Sequence, residues 1–279
     1  MSAPTSPTAS PSTLRITPPY LHRLVGTGGA RHLVERNARV YRREWLVLVS
    51  GFLEPVFYLF SIGVGVSKLV GDVALPGGEV VTYTAFVAPA MLAASAMNGA
   101  VIDATFGLFF KLKYNKLYDA VLATPVTPVD VAIGEITWAL MRGSLYSISF
   151  IVVMLVVGLI SSWWAVFALP VVVLTGFAFA AIGTACTTYM RSWQDFSYIT
   201  LVQLPIFLFS ATFYPLSVYP ESLQWVVRCS PLYHSATLLR ELTTGTVGPG
   251  SLVHVAVLVA LGVVGLVVTG RRLEKLLLT

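Results

Sequence analysis

Four ionisable residues stand inside strongly apolar stretches of the sequence: Glu54, Asp103, Glu135 and Arg142. A charged side chain at the centre of a bilayer costs about 3 kcal/mol on insertion scales, so such residues usually serve a function or form buried pairs. We therefore treat these four as candidates for a substrate path or for buried polar contacts. Glu54 is the strongest candidate for lining a path or an oligomer contact. Its alternative role is to stabilise a local helix bend.

Glu135 and Arg142 are seven residues apart, which places them on one helix face, about two turns from each other. Both side chains are then expected to face the protein interior. The alternative is that both lie near the cytoplasmic headgroups, because the apolar stretch around them is longer than one crossing requires.

The sequence has no motif that cradles nucleotide phosphates or activates a nucleophile. No G-x-x-x-x-G-K-[ST] loop is present, and residues 63–68 have similar letters in the wrong order. G-x-S-x-G and H-E-x-x-H are absent as well. Cys186 and Cys229 are not part of a Cys/His set with metal-ligand spacing. We expect no catalytic residue, metal or bound cofactor on this chain, so any motor must be another polypeptide.

The composition is that of an integral membrane protein. Of the 279 residues, 56% are hydrophobic and 11% are charged, against about 25% charged in soluble domains. The basic residues follow the ends of apolar stretches instead of forming one patch, which argues against nucleic-acid binding. Residues 1–19 are rich in Pro, Ser and Thr and lack the basic start and apolar core of a secretory signal. We therefore expect a disordered tail over residues 1–30.

The apolar stretches predict an all-α protein with six transmembrane helices. The predicted spans cover residues 45–66, 82–108, part of 131–160, 165–189, 196–213 and 252–270. With both termini inside, fourteen of the 18 Lys and Arg residues fall on the cytoplasmic side and three on the other. This positive-inside asymmetry predicts that both termini are cytoplasmic. We expect a multi-pass protein of the plasma (inner) membrane. Residues 31–275 then form a single six-span transmembrane domain.

The sequence also allows structural predictions for three segments outside the spans. Residues 31–44 predict a basic amphipathic helix at the cytoplasmic interface, with an ordinary charged flank of the first span as the alternative. Residues 109–128 form a cytoplasmic segment, and Thr127-Pro128-Val129-Asp130 resembles a helix start. Residues 214–247 contain two short half-polar helices after Pro220 and Pro231, which predicts an external re-entrant hairpin between spans five and six.

Several short motifs resemble the type 2 ATP-binding-cassette (ABC) exporter permeases, in particular the NodJ-like branch. The signature is Pro231-Leu232-Tyr233-His234, followed by five residues and Arg240. Further matches, all of them short, are Glu54-Pro55, the Ala-Thr-Pro core of residues 117–128, Gly134 to Ala139, and Tyr214-Pro215. NodJ-like proteins often have Phe where Tyr214 stands here. The resemblance covers roughly residues 30–275.

The resemblance implies a permease that dimerises, with a second copy or a related permease, and binds cytosolic ABC ATPase subunits that carry ATP and Mg. It implies that the segment between spans two and three docks on the ATPase and that the external helices cover the exit of the path. The implied ATPase-coupling residues are Lys111, Lys113, Tyr114, Lys116, Leu117, Tyr118, Val121, Thr124 and Pro125. The implied external-hairpin residues are Pro215, Pro231, Leu232, His234 and Arg240.

By the same resemblance, the function is outward transport of an amphipathic substrate, either a lipid-linked saccharide or lipo-oligosaccharide, or a hydrophobic drug. Two other functions stay open. An ion-driven secondary transporter would show an internal repeat of broken spans, and no convincing repeat relates residues 45–160 to 165–270. A membrane-embedded transferase would need clustered acids or histidines in an aqueous loop, for which His234, Glu221 and Glu241 are a sparse set.

Overall fold

The computed structural model describes residues 29–41, 53, 57, 59–75, 78–111 and 126–277. Within these ranges the protein is mainly α-helical, with one pair of short strands. The elements are α1 (Ala30–Tyr41), α2 (Ser67–Val70), β1 (Asp72–Ala74), β2 (Val80–Thr82), α3 (Tyr83–Ile102), α4 (Pro128–Val156), α5 (Ala168–Thr187), α6 (Phe196–Leu208), α7 (Glu221–Cys229), α8 (Pro231–Thr244) and α9 (Pro249–Leu277). A π-helical segment, Asp103–Gly107, extends α3, and a 3-10 turn, Trp193–Asp195, precedes α6.

Four helical segments in the described residues are long and apolar enough to cross a membrane. They are Tyr83–Gly107, Val129–Val156, Trp163–Thr187 and Pro249–Lys275. Each has at least the roughly 20 residues that a bilayer core requires. The chain is therefore a multi-pass, predominantly α-helical membrane protein.

The first and fifth predicted spans are not among these four helices. Most of residues 45–66 lies outside the described residues. In the fifth predicted span, α6 has only 13 residues and ends at Leu208 instead of continuing to residue 213. Ala211 then adopts a φ of 51° and the Thr212 hydroxyl donates to the Phe207 carbonyl at 3.0 Å, so the backbone leaves the helical path.

The loop predicted between the first two spans contains a small β-hairpin. β1 and β2 pair antiparallel, with Asp72 opposite Thr82 and Ala74 opposite Val80. Gly78, at a φ of 82°, occupies the left-handed region that glycine adopts without steric cost. This hairpin adds two strands to an otherwise helical fold.

α3 is the central helix of the described part of the chain. Of its most apolar window, 72% is buried inside the protein, against 22% for the windows of α4 and α9. α3 packs against α5, α4 and α8, and α9 packs mainly against α5. Small residues allow close approach, since a Cβ on Gly265 would lie 2.7 Å from the Ala181 carbonyl carbon. Such contacts between small residues are typical of membrane helix packing.

Two of the spanning helices begin at threonine caps. Thr82 accepts a hydrogen bond from the Ala85 amide at 3.3 Å at the start of α3. At the start of α4, Thr127 Oγ1 accepts from the Asp130 amide at 3.1 Å, and Asp130 Oδ2 accepts from the Thr127 amide at 3.0 Å. This reciprocal capping box confirms the helix start predicted at residues 127–130.

α1 lies against α4, through the apolar face predicted for the amphipathic segment. Leu33 is only 4% exposed, and a Cβ added at Gly134 would lie 3.0 Å from the Leu33 Cβ. The glycine therefore permits a close contact between the two helices. This contact fixes the position of the polar residues described next.

Candidate functional site

Three helical elements meet at Lys111, the last described residue before the 112–125 segment. Lys111 Nζ forms an ion pair with Glu135 Oε2 at 2.5 Å and donates to Asn37 Oδ1 at 3.3 Å. The Asn37 amide nitrogen donates to Glu135 Oε2 at 3.4 Å, which closes the triangle. We call these three residues the Lys111 cluster. It connects α1, the end of the extended α3 helix and α4.

The Lys111 cluster is shielded from solvent. The Lys111 and Glu135 side chains are 18% and 9% exposed, and Asn37 is 3% exposed. Replacing one partner of a buried pair leaves the other charge uncompensated, which typically costs about 3–5 kcal/mol. The position of Lys111 is thus tied to a contact that is costly to break.

A second ion pair connects the same two helices deeper in the membrane region. Arg142 of α4 pairs with Asp103, in the π-helical extension of α3, and both side chains are at most 13% exposed. α3 and α4 run in opposite directions, so Asp103 faces Arg142 while Lys111 faces Glu135. Pairing of this kind offsets the cost of placing charges in a bilayer. The π-helical geometry at Asp103 is of a type often found at functional positions.

Glu135 and Arg142, which were predicted to lie on one helix face, form two separate ion pairs. Glu135 and Arg142 both contact α3, but through two different partners, and each belongs to its own ion pair. Lys111, predicted as a coupling residue, is the partner of Glu135. Glu54 and the other predicted coupling residues, Lys113 to Pro125, lie outside the described residues.

Arg240 is the most connected residue of the hairpin signature. It is 7% exposed; its Nε donates to the Phe86 carbonyl at 2.8 Å, and one terminal nitrogen donates to the Ala211 carbonyl at 2.5 Å and to that of Thr212 at 3.3 Å. The guanidinium carbon also lies 3.9 Å from the centre of the Phe86 ring. Arg240 therefore connects α8 to α3 and to the chain that follows α6.

These contacts explain why a charge is accommodated at this position. The carbonyls of Ala211 and Thr212 follow the end of α6, where helical backbone partners run out. Arg240 satisfies them with charge-assisted hydrogen bonds, which are stronger than neutral ones. Burial lowers the pKa of Arg240 to about 9, so the guanidinium is still protonated at neutral pH.

His234 forms a second polar contact of the hairpin. Its Nδ1 lies 2.7 Å from Nδ1 of His254, in the first turns of α9, so one imidazole donates and the other accepts. His254 Nε2 lies 3.8 Å from Glu241 Oε1, and Glu241 Oε2 accepts from the Ser251 hydroxyl at 2.5 Å. We call His234, His254, Glu241 and Ser251 the histidine cluster. It connects α8 to α9.

Burial shifts the pKa values of His234 and Glu241 in the histidine cluster. Burial, and secondarily the neighbouring His254, lowers the pKa of His234 below its ordinary value. Burial raises the pKa of Glu241, an effect that the hydrogen bond from Ser251 partly offsets. Neutral His234 is therefore favoured at neutral pH.

The other residues of the signature have packing roles. Pro231 opens α8, where its missing amide hydrogen costs nothing. Leu232 is fully buried in the core that α3 and α5 form. Pro215 precedes the short 3-10 turn Leu216–Val218. The signature residues thus attach the hairpin helix α8 to its neighbours and do not form a reactive group.

Sequence reasoning missed Asn37, His254 and the amide pair of Asn98 and Gln203, in which Gln203 Nε2 donates to Asn98 Oδ1 at 2.7 Å. Each is a polar residue within an otherwise apolar helix face, which was the available signal. Among the described residues, no group of three or more His, Cys, Asp or Glu side chains is placed to hold a metal ion. Cys186 and Cys229 are both free thiols.

Comparisons with known proteins identify the family of the chain. The model of the ABC-2 type transporter family matches residues 30–243. Nodulation protein J of Rhizobium leguminosarum bv. viciae is 32% identical over 246 residues, which cover 87% of this chain and 93% of that protein. Nodulation protein J of Rhizobium meliloti (strain 1021) is 33% identical over 222 residues, 79% of this chain and 81% of the relative.

The family match contains α1, α3 to α7, nearly all of α8 and both ion pairs that connect α3 to α4. A third relative, nodulation protein J of Rhizobium leguminosarum bv. trifolii, is 35% identical over 212 residues, or 75% of this chain and 79% of the relative. The family is the membrane component of its transporters and carries no catalytic centre of its own. The chain belongs to the ABC-2 type transporter family and is similar over most of its length to nodulation protein J.

Proposed function

We propose that the chain is the permease subunit of an ABC exporter, powered by ATP hydrolysis on a separate cytosolic subunit that holds ATP and Mg. The observation that carries the proposal is the family match over residues 30–243, which contain three of the four membrane-spanning helices. The absence of a phosphate-binding loop in the sequence is consistent with a separate motor.

The proposed topology has six spans with both termini in the cytoplasm of a plasma (inner) membrane protein. Residues 45–66 form the first span, and α6, which ends at Leu208, forms the fifth. Residues 31–275 are proposed to form one permease domain, and residues 1–28 of the predicted tail lie outside the described residues. The asymmetric distribution of Lys and Arg supports this orientation.

Residues 111–125 are proposed to dock on the ATPase. Movement of this segment would reach the membrane region through the Lys111 cluster, because Lys111 directly precedes the segment and contacts both α1 and α4. The Asp103–Arg142 pair would carry the same movement further along α3 and α4. Glu54 is proposed to line the substrate path.

The proposed substrate is an amphipath, and the proposed assembly contains two permeases, identical or related. The similarity to nodulation protein J favours a lipo-oligosaccharide over a hydrophobic drug. α7, α8 and the histidine cluster are proposed to cover the outer exit of the path.

Affinity purification from native membranes, followed by an ATPase assay, tests the proposal. A cytosolic ATPase is expected to co-purify, and scrambling residues 112–125 is expected to release it. Scrambling residues 1–28 is the matched control and is expected to retain the ATPase. A chain that purifies alone, without ATP hydrolysis in mild detergent, would contradict the proposal and favour an ion-driven carrier.

A further inference from the structure

The histidine cluster is a continuous row of titratable side chains between α8 and α9. His234 Nδ1 and His254 Nδ1 lie 2.7 Å apart, and His254 Nε2 lies 3.8 Å from Glu241 Oε1. His254 thus stands between an imidazole and a carboxylate. The short distance between the two ring nitrogens requires one hydrogen atom between them, because two N–H donors repel and two lone pairs form no bond. The gap therefore accommodates a single proton.

Successive protons have opposite effects on this contact. A proton added at His254 Nε2 makes an imidazolium that faces the Glu241 carboxylate, while its Nδ1–H still donates to neutral His234. Opposite charges at this spacing attract, so the first added proton strengthens the contact. A second added proton, on His234 Nδ1, places two N–H donors and two positive charges across the gap. Further acidification therefore pushes the two imidazoles apart.

The groups that face the two imidazoles offer the second proton no counter-charge. On α8, besides Glu241, the ring centre of Tyr233 lies 5.6 Å from that of His234 and 6.1 Å from that of His254. α7 contributes the backbone carbonyl of Arg228, which favours protonation of His234. Within the described part of the chain, this carbonyl, His254 and burial are what change the pKa of His234. A proton on His234 is therefore left without a carboxylate beside it.

The other polar groups of α8 face away from the cluster and fix this helix to its neighbours. Arg240 donates to the carbonyls of Phe86 and Ala211, which anchors α8 to α3 and to the chain after α6. The Thr175 hydroxyl of α5 donates to Ser235 Oγ at 3.0 Å. These contacts do not change protonation between neutral and mildly acidic pH. α8 therefore keeps its place when the histidine cluster titrates.

α9, in contrast, is able to move at the end that carries His254. Gly248 and Gly250 lie on either side of the first residue of this helix, and a Cβ at either position would meet nothing within 4 Å. Leu252, in the first turn, is 73% exposed. Further along, Gly265 lies against the backbone of α5. The first turns can therefore tilt away from α8 while the rest of α9 stays packed.

We propose that the histidine cluster is a proton-operated switch, which holds the first turns of α9 on α8 until both imidazoles are charged and then releases them. The inference rests on the proposed function, because the hairpin is taken to lie outside the cell and to cover the exit of the path. Acidification of the outer side then opens the exit between α8 and α9. Release is expected below pH 6.5, since burial and the neighbouring His254 lower the pKa of His234 below that ordinary value.

The test is the distance between two spin labels on the purified permease in lipid nanodiscs. One label replaces Leu252, and the other replaces Val166, an exposed residue of the 3-10 turn Trp163–Phe167 that packs on α8. The native cysteines are removed by Cys186→Ala and Cys229→Ser, and an excess of unlabelled chain is co-expressed so that distances within one chain are measured. Between about pH 7.5 and pH 5 the separation is expected to change reversibly by at least about 2 Å, the size of helix shifts in known switches.

Two variants remove the switch without removing the contact. His234→Asn and His254→Asn each leave a single imidazole, and the asparagine amide nitrogen takes about the place of Nδ1 and still donates to the remaining ring. Both are expected to show the same label distance at either pH. His32→Asn, on the exposed face of α1, is the matched control and is expected to keep the full change. An unchanged wild-type distance, an equal change in both cluster variants, or a change accompanied by loss of helical circular dichroism would overturn the proposal.

Transport tests the link between the switch and the exit. In inside-out vesicles that contain the permease and its ATPase, the lumen corresponds to the outer side. Acidifying the lumen alone is expected to raise the rate of ATP-dependent transport in wild type and not in His234→Asn. Equal responses of the two proteins would contradict the opening of the exit.

The label distances need neither ATPase nor substrate, so the two proposals fail separately. A chain that assembles with an ATPase and drives ATP-dependent transport, yet shows no pH-dependent change in label distance, contradicts only the switch. A chain whose label distance depends on pH and on His234, but which never associates with an ATPase, contradicts only the exporter assignment.

Discussion

At the scale of single residues, the charged side chains in the apolar part of the chain are held by specific partners. Arg240 satisfies three backbone carbonyls, and Asp103 and Glu135 each face a cation of a neighbouring helix. Their residue types and apolar surroundings were sufficient to make Asp103, Glu135 and Arg142 candidates for a substrate path or for buried polar contacts. The partners were not predictable, because pairing depends on which helices pack together.

Arg240→Lys is expected to destabilise the protein. A single ammonium cannot reproduce the planar fork that reaches Phe86, Ala211 and Thr212. Each buried carbonyl left without a donor costs about 1–3 kcal/mol. Thermal unfolding of the purified protein checks this, with Arg228→Lys as the control on the exposed surface of α7. Equal melting temperatures for the two variants would contradict the role assigned to Arg240.

The histidine cluster is expected to make stability depend on pH. Because the folded-state pKa of His234 is below the ordinary 6.5, the unfolded chain binds the proton first on acidification. The contribution of His234 is therefore fully present above about pH 6.5 and is lost as the pH falls towards its folded value. The raised pKa of Glu241 acts in the opposite direction at lower pH, and His254 faces both groups.

The measurement is the melting temperature between about pH 8 and pH 5 for wild type and His234→Gln. The wild type is expected to lose more stability on acidification than the variant, which isolates His234 from Glu241. His32→Gln is the control, because His32 is exposed on α1. Parallel pH profiles for wild type and His234→Gln would contradict this account.

At the scale of elements, the local signals in the sequence predicted helix starts better than helix ends. The capping box at Thr127 and Asp130 and the amphipathic face of α1 both follow from near neighbours in sequence. The end of α6 does not, since it depends on Arg240, which is 29 residues from Ala211. The contact between Asn37 and Glu135 spans 98 residues, so no local pattern encodes it.

The Lys111 cluster is expected to couple α1, α3 and α4 energetically. In a double-mutant cycle with Lys111→Ala and Glu135→Ala, we expect a coupling free energy of about 1–3 kcal/mol, because each single change leaves one buried charge behind. The control cycle uses Arg31→Ala and Glu35→Ala, whose exposed pair is expected to contribute well under about 1 kcal/mol. Unfolding followed by chemical denaturation checks both, and equal coupling in the two cycles would contradict the assignment.

Close packing of α9 on α5 is expected to tolerate no side chain at Gly265. A Cβ there would meet backbone atoms of Ala181 and Ile182 within 2.8 Å, so Gly265→Ala should destabilise by about 1–3 kcal/mol. Gly270→Ala is the matched control in the same helix, because a Cβ there meets nothing within 4 Å. Melting temperatures distinguish them; a loss of stability in Gly270→Ala alone would contradict the packing argument.

At the scale of the whole molecule, composition and the length of the apolar stretches were sufficient to predict a helical membrane protein. They were sufficient because a bilayer demands long helices with few charges. The buried contacts of Arg240 were not predictable, since they depend on how α8, α3 and the chain after α6 pack together. The proposed function, in turn, rests on family membership, which no local pattern of the sequence replaces.

The most direct test of the central claim is transport into inside-out vesicles that contain the permease and its co-purifying ATPase. An amphipathic substrate is expected to accumulate inside these vesicles with ATP and Mg, and not with a non-hydrolysable analogue or with an ATPase that lacks its phosphate-loop lysine. Accumulation that continues without ATP hydrolysis and stops when the ion gradient is collapsed would contradict the account and identify an ion-driven carrier.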